Sequence, residues 1–410
     1  MSDKRSTLSR PTYRTASTGL TRDLNRAAIF GIIGASSPIA RTHIAQRLGL
    51  SPATVTAVTR ELIDQGLIRV AERSQASRGR PALLLEVVGG AAAAFGAKVA
   101  VDHVVGVRVD LEAEVIERFE DQFDASAPDA ITKLGELLRG WLSSSSSASP
   151  LLGVGLGVSG VVDVATGSLD SPLLGWRNIP LAHVLQQTLG VPVYVDNDVN
   201  TLAVSERLYG RGRDAEHFVT VTIGRGVGLG IVAGGDIYRG YGGGAGEFGH
   251  TTAVGSDVRC SCGKRGCLET LVADPALVAQ GRRQRVLGRG DGIERLRALA
   301  DLGNPKAKAI FAAAGDALGR AVGDLVNILG PELVFVSGEG TQAWPHIAEH
   351  FDSSFATALF GPLRGTRVEV DPWDDARWAV GAATLVLRAS FAAPFDDEVR
   401  HSEVPMEVVA

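Results

Sequence analysis

Cysteine is nearly missing from this chain, with three among 410 residues, all inside "CSCGKRGCLET" from Cys260 to Thr270. An odd number of cysteines cannot pair off completely, which argues against a disulfide framework. Long hydrophobic runs are missing too. No uninterrupted apolar stretch approaches the roughly 20 residues that a membrane span needs. The first 25 residues are polar and contain no apolar segment of the signal-peptide kind. These absences lead to the expectation of a soluble, cytoplasmic protein with reduced thiols and no membrane partner. No Walker-type phosphate loop occurs anywhere. Gly155, Gly157 and Gly160 do match G-x-G-x-x-G. A dinucleotide fingerprint must open a helix, however, and "VVDVATGSL" reads as more strand and turn, so a Rossmann site is set aside.

What is present suggests two or three domains, since compact domains usually run to about 100–200 residues. Hydrophobic residues make up 45% of the chain, ample for a sizeable core, and the net charge is −5. The distribution of that charge matters more than its sum. Residues 1–81 hold 13 Lys or Arg against 5 Asp or Glu, a local balance of +8, and the rest of the chain carries −13. A basic head on an acidic body points to a polyanionic partner for the head alone. A merely solvated basic surface is the bland alternative.

Residues 1–20 read as a flexible basic arm. From Arg22 onward Leu24, Ala27, Ala28, Ile32 and Ile33 fall at helical spacing. "IARTHIAQRLGLSPATVTAVTRELIDQGLI" then reads as helix, turn, helix, with Ile39, Ile44, Ala45 and Leu48 on one apolar stripe and Gly49 at the turn. Ser51 is a good N-cap, with Pro52 at the first helical position. Val55, Val58, Leu62 and Ile63 would face inward. That leaves Ser51, Ala53, Thr54, Thr56, Ala57 and Arg60 on the outer or N-terminal surface, small and hydroxylated enough to approach a major groove. "LIRVAERSQASRGRPALLLEV" reads as two strands joined by a basic loop, a wing with Arg78, Gly79, Arg80 and Pro81 at its tip. A helix-turn-helix can be plain scaffold, but charge and wing together favour DNA.

Beyond Gly89–Gly90 the texture becomes α/β. "AFGAKVAV", "VVGVRVDL" and "EVIERFEDQF" read as consecutive strands, and residues 131, 134, 137, 138, 141 and 142 mark an amphipathic helix. The "SSSSSAS" run after it reads as a flexible loop. A second strand series begins near Phe218, and a long helix then feeds "LVFVSG". Two similar lobes with a cleft between them follow. Three short segments bring polar residues to that cleft: "YVDNDVN" with Asp196, Asn197, Asp198 and Asn200, "GEFGH" with Glu247 and His250, and "CLE" with Glu269. Carboxylates and amides converging from loops suit sugar hydroxyls; singly, each could be an ordinary turn or surface residue. In the cysteine loop, glycines at 263 and 266 allow a tight turn, and three thiolates there suit a tetrahedral zinc lacking one ligand. His250 lies ten residues upstream. Three incidental reduced cysteines are the alternative.

These motifs closely resemble the ROK family of sugar kinases and sugar-responsive transcriptional repressors, over roughly residues 22–388. "LGLSPATVTAVTRELIDQGLI" and "RGRP" are similar to the repressors' winged helix, and "GWRNIPL", "DNDVN", "GEFGH" and "CSCGKRGCLE" to the shared sugar and zinc motifs. The resemblance implies an N-terminal winged helix-turn-helix over 21–88 and a two-lobed, actin/hexokinase-like (ribonuclease H-like) α/β sugar-binding body over 89–388, with a tail at 389–410. It implies that His250, Cys260, Cys262 and Cys267 bind one structural zinc, and that Asn197, Asp198, Glu247, His250 and Glu269 contact the sugar. The aspartate matching Asp198 is the general base of the kinases. The kinases' first phosphate loop, D-x-G-G-T, corresponds here to Lys98-Val99-Ala100-Val101-Asp102, and the second, "GRGVGLG", carries Arg225 and Leu229. Side chains there would crowd the backbone N–H groups that cradle phosphate, and Asp102 would repel a nucleotide. The expectation is therefore a non-enzymatic repressor of double-stranded operator DNA, a homodimer or homotetramer answering to a small sugar effector. An ATP-dependent sugar kinase is the alternative, and a DNA-binding protein without ligand a third reading.

Overall fold

Residues 18–71, 83–253, 255–371 and 374–392 are described in a computed structural model of the chain. They divide between two units, one of Met1–Glu86 with Arg388–Ala410 and one of Val87–Leu387.

The first unit contains α1 (Thr18–Ser36), β1 (Ile39–Ala40), α2 (Arg41–Leu48), α3 (Pro52–Asp64), β2 (Ile68–Val70) and β3 (Leu84–Val87). Gly49 ends α2 at φ 62°, a left-handed position that suits glycine. Ser51 opens α3 by accepting the Thr54 N–H at 3.1 Å, and Pro52 needs no N–H partner there. Val55, Val58 and Leu62 are buried, while Ile63 is half-buried. Each such side chain contributes roughly 1.5–3 kcal/mol. Ile39 does not begin a helix as expected. Its backbone instead pairs antiparallel with Leu85, so it joins the three-stranded sheet β1-β3-β2. Thr59 is also buried, because the Arg41 guanidinium reaches across from α2 and donates to its hydroxyl at 2.7 Å.

The second unit repeats one architecture twice. In the first lobe β4 (Ala93–Val99), β5 (His103–Asp110) and β6 (Val115–Gln122) form an antiparallel meander. After α4 (Ala130–Ser144), β7 (Leu151–Val158) pairs parallel with β4. A small sheet of β8 (Val161–Asp163), β9 (Ser168–Ser171) and β10 (Trp176–Ile179) precedes α5 (Leu181–Leu189). Then β11 (Val193–Asn197) pairs parallel with β7 and runs directly into α6 (Asp198–Leu208). The resulting order is β11-β7-β4-β5-β6.

In the second lobe β12 (Phe218–Ile223), β13 (Val227–Ala233) and β14 (Asp236–Ile237) again form a meander. Helices α7 (Glu269–Val272), α8 (Asp274–Arg283), α9 (Ile293–Asp301) and α10 (Pro305–Leu329) follow. Strand β15 (Leu333–Ser337) pairs parallel with β12. Past α11 (Trp344–Ala358), β16 (Arg367–Val370) pairs parallel with β15, and α12 (Asp375–Ala392) comes last. The order β14-β13-β12-β15-β16 mirrors the first lobe strand for strand. Each sheet is buried on its helix-covered faces, as its Val, Ile and Leu content requires.

Two details position the cleft. Gly96 of β4 and Gly155 of β7 lie against the α12 backbone, where a Cβ would collide with the carbonyls of Ala379 and Ala382. The serine run is anchored rather than loose: Ser145 and Ser146 donate to Glu117, and Arg108 donates to the Ser149 carbonyl. A buried arginine and a strand carboxylate thus supply partners that the run's composition did not reveal.

Candidate functional site

Strand β11 carries the first polar segment to the cleft. Asn197 caps α6, its side-chain oxygen accepting the N–H groups of Val199 at 2.9 Å and Asn200 at 3.2 Å. Its amide donates to the Gly160 carbonyl at 2.9 Å, which leaves one amide hydrogen for a ligand. Asp196 is not a free cleft group. It is 1% exposed, and Arg239 holds its carboxylate at 2.9 and 2.5 Å. Asp198 follows at the first turn of α6, and burial holds its carboxyl above the usual range, offset in part by Lys98.

Three segments meet at the first residues of β13. Gly228 admits the side chain of Val199 from α6, and Gly249 packs on Val227. Glu269 accepts the Val227 N–H at 3.3 Å. Next to this junction Glu247 and His250 share one short turn, with His250 Nε2 3.8 Å from a Glu247 oxygen. Asn197 and Asp198 therefore approach from the first lobe, and Glu247, His250 and Glu269 from the second.

The cysteine loop folds back on the same turn. His250 Nδ1 lies 3.5 Å from Cys260 Sγ, and Cys262 Sγ lies 3.6 Å from Cys267 Sγ. One ligand atom from each of His250, Cys260, Cys262 and Cys267 lies within 4.8 Å of every other, so the four could hold a metal ion. Tetrahedral bonds of about 2.0–2.3 Å put zinc ligands some 3.5 Å apart, and the His250–Cys260 and Cys262–Cys267 pairs have that spacing. Burial pushes the Cys267 thiol up to about 12, with Cys262 and Cys260 adding to the shift. Three crowded sulfurs become thiolates together only when a cation neutralises them.

At the other end of the cleft, Lys98 on β4 does not reach into open space. Its ammonium is 3.1 Å from Asp375 and lies 4.3 Å above the Trp378 ring. Arg225, on the turn between β12 and β13, donates to Asp102 of the opposite lobe at 2.7 Å. That ion pair, followed by burial in the opposite sense and then by His103, sets the Asp102 carboxyl at about 2. His103 lies between Asp102 at 2.8 Å and Asp375 at 3.7 Å, and the Asp375 carboxylate, ahead of Asp102, raises its pKa despite burial. Glu339 accepts the Arg225 N–H at 3.0 Å. Neither Arg239 nor Glu339 was singled out in the sequence; the available signals were an arginine ahead of the glycine-rich stretch after β14 and an acid within "SGEG".

In the first unit Ser51, Ala53, Thr56 and Ala57 are exposed and Thr54 is half-exposed along α3. Arg60 is 83% exposed, with Asp64 at 4.0 Å. Arg78, Gly79 and Arg80 lie outside the described residues.

A helix-turn-helix and a duplicated α/β body of kinase architecture in one chain define a class, the ligand-responsive transcriptional regulators. Residues 100–389 match the ROK family and residues 22–69 match the winged helix-turn-helix DNA-binding family. The chain is 30% identical over 396 residues to the xylose repressor of Caldicellulosiruptor bescii, covering 92% of this chain and 98% of that one. It is 28% identical to the N-acetylglucosamine repressor of Escherichia coli, over 90% of this chain and 94% of the relative. Among solved structures, a ROK family transcriptional regulator homologous to the E. coli MLC protein superposes with TM-score 0.79 at 24% identity, covering 91% and 97% of the two chains. A ROK glucokinase from Streptomyces griseus gives TM-score 0.63 at 25% identity, covering 72% of this chain and 98% of the enzyme. The chain belongs to the ROK family. It is a transcriptional regulator with a winged helix-turn-helix rather than a kinase.

Proposed function

We propose that this protein represses transcription by binding operator DNA through a domain over residues 21–88, under the control of a sugar bound in the body over 89–388. The recognition surface would comprise Ser51, Ala53, Thr54, Thr56, Ala57 and Arg60, with Arg78, Gly79 and Arg80 on the wing. A groove-reading helix needs small side chains at its N-terminal turn and a cation within reach of guanine or phosphate, which this face supplies. Two copies of the chain would read two half-sites, as a dimer or as a pair within a tetramer. No helix among the described residues is long and apolar enough to cross a membrane. The cytoplasm is the compartment that such a role requires.

The sugar would sit among Asn197, Asp198, Glu247, His250 and Glu269. Carboxylates accept hydroxyl protons, and the remaining amide hydrogen of Asn197 can donate. His250, Cys260, Cys262 and Cys267 would hold one structural zinc, which supplies geometry and no chemistry because protein ligands fill its tetrahedron. With Nδ1 turned to the sulfurs, the other ring nitrogen of His250 is left beside Glu247 to carry a proton toward a hydroxyl.

The observation that carries the reading is the pairing of Arg225 with Asp102 and of Lys98 with Asp375 in a body of kinase architecture. Those pairs occupy the end of the cleft where a kinase would place its nucleotide. The test is operator binding by fluorescence anisotropy, with and without a panel of sugars and with no nucleotide present. A sugar that changes operator affinity bears the reading out; full-strength operator binding without residues 1–88, or no response to any sugar, argues against it.

A further inference from the structure

Three cations described in the cleft each already have an anion. Lys98 is tied to Asp375, Arg225 to Asp102, and Arg239 to Asp196. The turn from β12 to β13 is committed in the same way. A glycine turn with successive backbone N–H groups is the ordinary cradle for a phosphate. Here the Arg225 N–H donates to Glu339 at 3.0 Å, the Val227 N–H donates to Glu269 at 3.3 Å, and the Gly224 N–H closes on the Gly226 carbonyl at 3.0 Å.

The two glycines of this turn exist for that approach. A Cβ at Gly224 would collide with the Glu339 carboxylate, and one at Gly226 would lie 3.1 Å from Glu269 Oε2. So two of the turn's backbone donors, the Arg225 and Val227 N–H groups, face carboxylates of the chain itself.

We propose that Glu339 and Glu269 are resident anions on the 224–227 turn, so that the cleft accepts an uncharged sugar and rejects the phosphate ester of the same sugar. This rests on the sugar-sensing reading above and narrows its ligand class. A phosphate monoester carries about −1.5 to −2 charges at neutral pH. To bind, it would have to displace a carboxylate from the turn or take Lys98 or Arg225 from its partner. Loss of Glu339 or Glu269 from the turn, or of Lys98 from Asp375, leaves a partly buried carboxylate unpaired, which is costly. Hydroxyl groups make no such demand, since they donate to carboxylates already in place.

The experiment is calorimetric titration of the full-length protein with D-xylose, D-glucose and N-acetyl-D-glucosamine, and with the terminal phosphate ester of each. At least one uncharged sugar should bind, with its ester at least tenfold weaker. Glu339→Gln and Asp102→Asn each remove one negative charge, and Asp102→Asn also releases Arg225. Both should narrow the preference at least threefold. An ester that binds wild-type protein as tightly as its parent sugar overturns the inference and leaves sugar sensing standing. A preference unchanged in both variants overturns it as well, by removing the resident anions as the cause. Binding of neither sugars nor esters by protein that still binds its operator defeats the sugar-sensing reading, and this inference with it.

Discussion

His250 Nδ1 and Cys260 Sγ face each other at 3.5 Å, which turns the histidine's second nitrogen away from the sulfur cluster. The ring therefore belongs to two sites at once. The same short turn that offers a metal ligand also presents Glu247, three residues earlier, to the cleft.

That double membership makes metal content and ligand affinity inseparable. Elemental analysis should find one zinc per chain, lost in Cys262→Ser, whose sulfur is exposed and whose replacement leaves the core intact. Sugar affinity should fall at least tenfold, about 1.4 kcal/mol. Titration of folded, zinc-free Cys262→Ser is the check, and unchanged affinity would separate the two sites.

On the DNA side, Arg60 is free to swing, since its contact with Asp64 is exposed and at the limit of an ion pair. Arg60→Ala and Arg80→Ala should each weaken operator binding by about 1–3 kcal/mol if they reach base edges. A uniform loss across sequences with a shallower salt slope would assign them to phosphates instead. Competition assays at several salt concentrations distinguish the two outcomes.

Catalysis and linkage can be tested together. Sugar-dependent ATP consumption should stay far below kinase rates of about 1–100 per second. Whatever factor the sugar imposes on operator affinity, typically about 5- to 150-fold, operator DNA must impose on sugar affinity. Unequal factors would show that one of the two binding events engages a different state of the protein.

The polar chain at the far end of the cleft predicts a pH dependence. His103 has a raised folded pKa, owing first to the nearby Asp375 carboxylate against the effect of burial, and Lys98 and Arg225 stand on either side of the two aspartates. A raised pKa gives stability that is complete below the unfolded value of about 6.5 and fades as pH rises through the folded value. The melting temperature of His103→Gln should accordingly lie below wild type at pH 6 and converge on it in alkaline buffer. Asp102, set at about 2, works in the opposite sense: its contribution is present above about 4 and disappears only as pH falls toward 2. A gap between wild type and His103→Gln that widens above neutrality would contradict the sign.

How far the sequence reveals these features depends on distance along the chain. The cap at Ser51, the turn at Gly49 and the four ligands within 18 positions are local, and residue type with spacing suffices to find them. The duplicated strand pattern is legible for the same reason. Partners are not. Lys98 finds Asp375 across 277 positions and Arg225 finds Asp102 across 123, and no periodicity selects one carboxylate among 46. By residue type alone the glycines at 224 and 226 suit a tight turn, whereas their contacts show that the missing side chains make room for Glu339 and Glu269.

The seam between α12 and the first sheet bears on how this body can move. With Gly96 and Gly155 beneath Ala379 and Ala382, and Gly381 pressed on Thr201, main chain meets main chain with no cushion of side chains. Such a joint has no rotamers to rearrange and little volume to give up. Sheet, α6 and the described part of α12 in this unit would shift as a single block. A ligand response that turns one lobe against the other would then leave spacings inside the block unchanged, and a distance label placed there should record nothing.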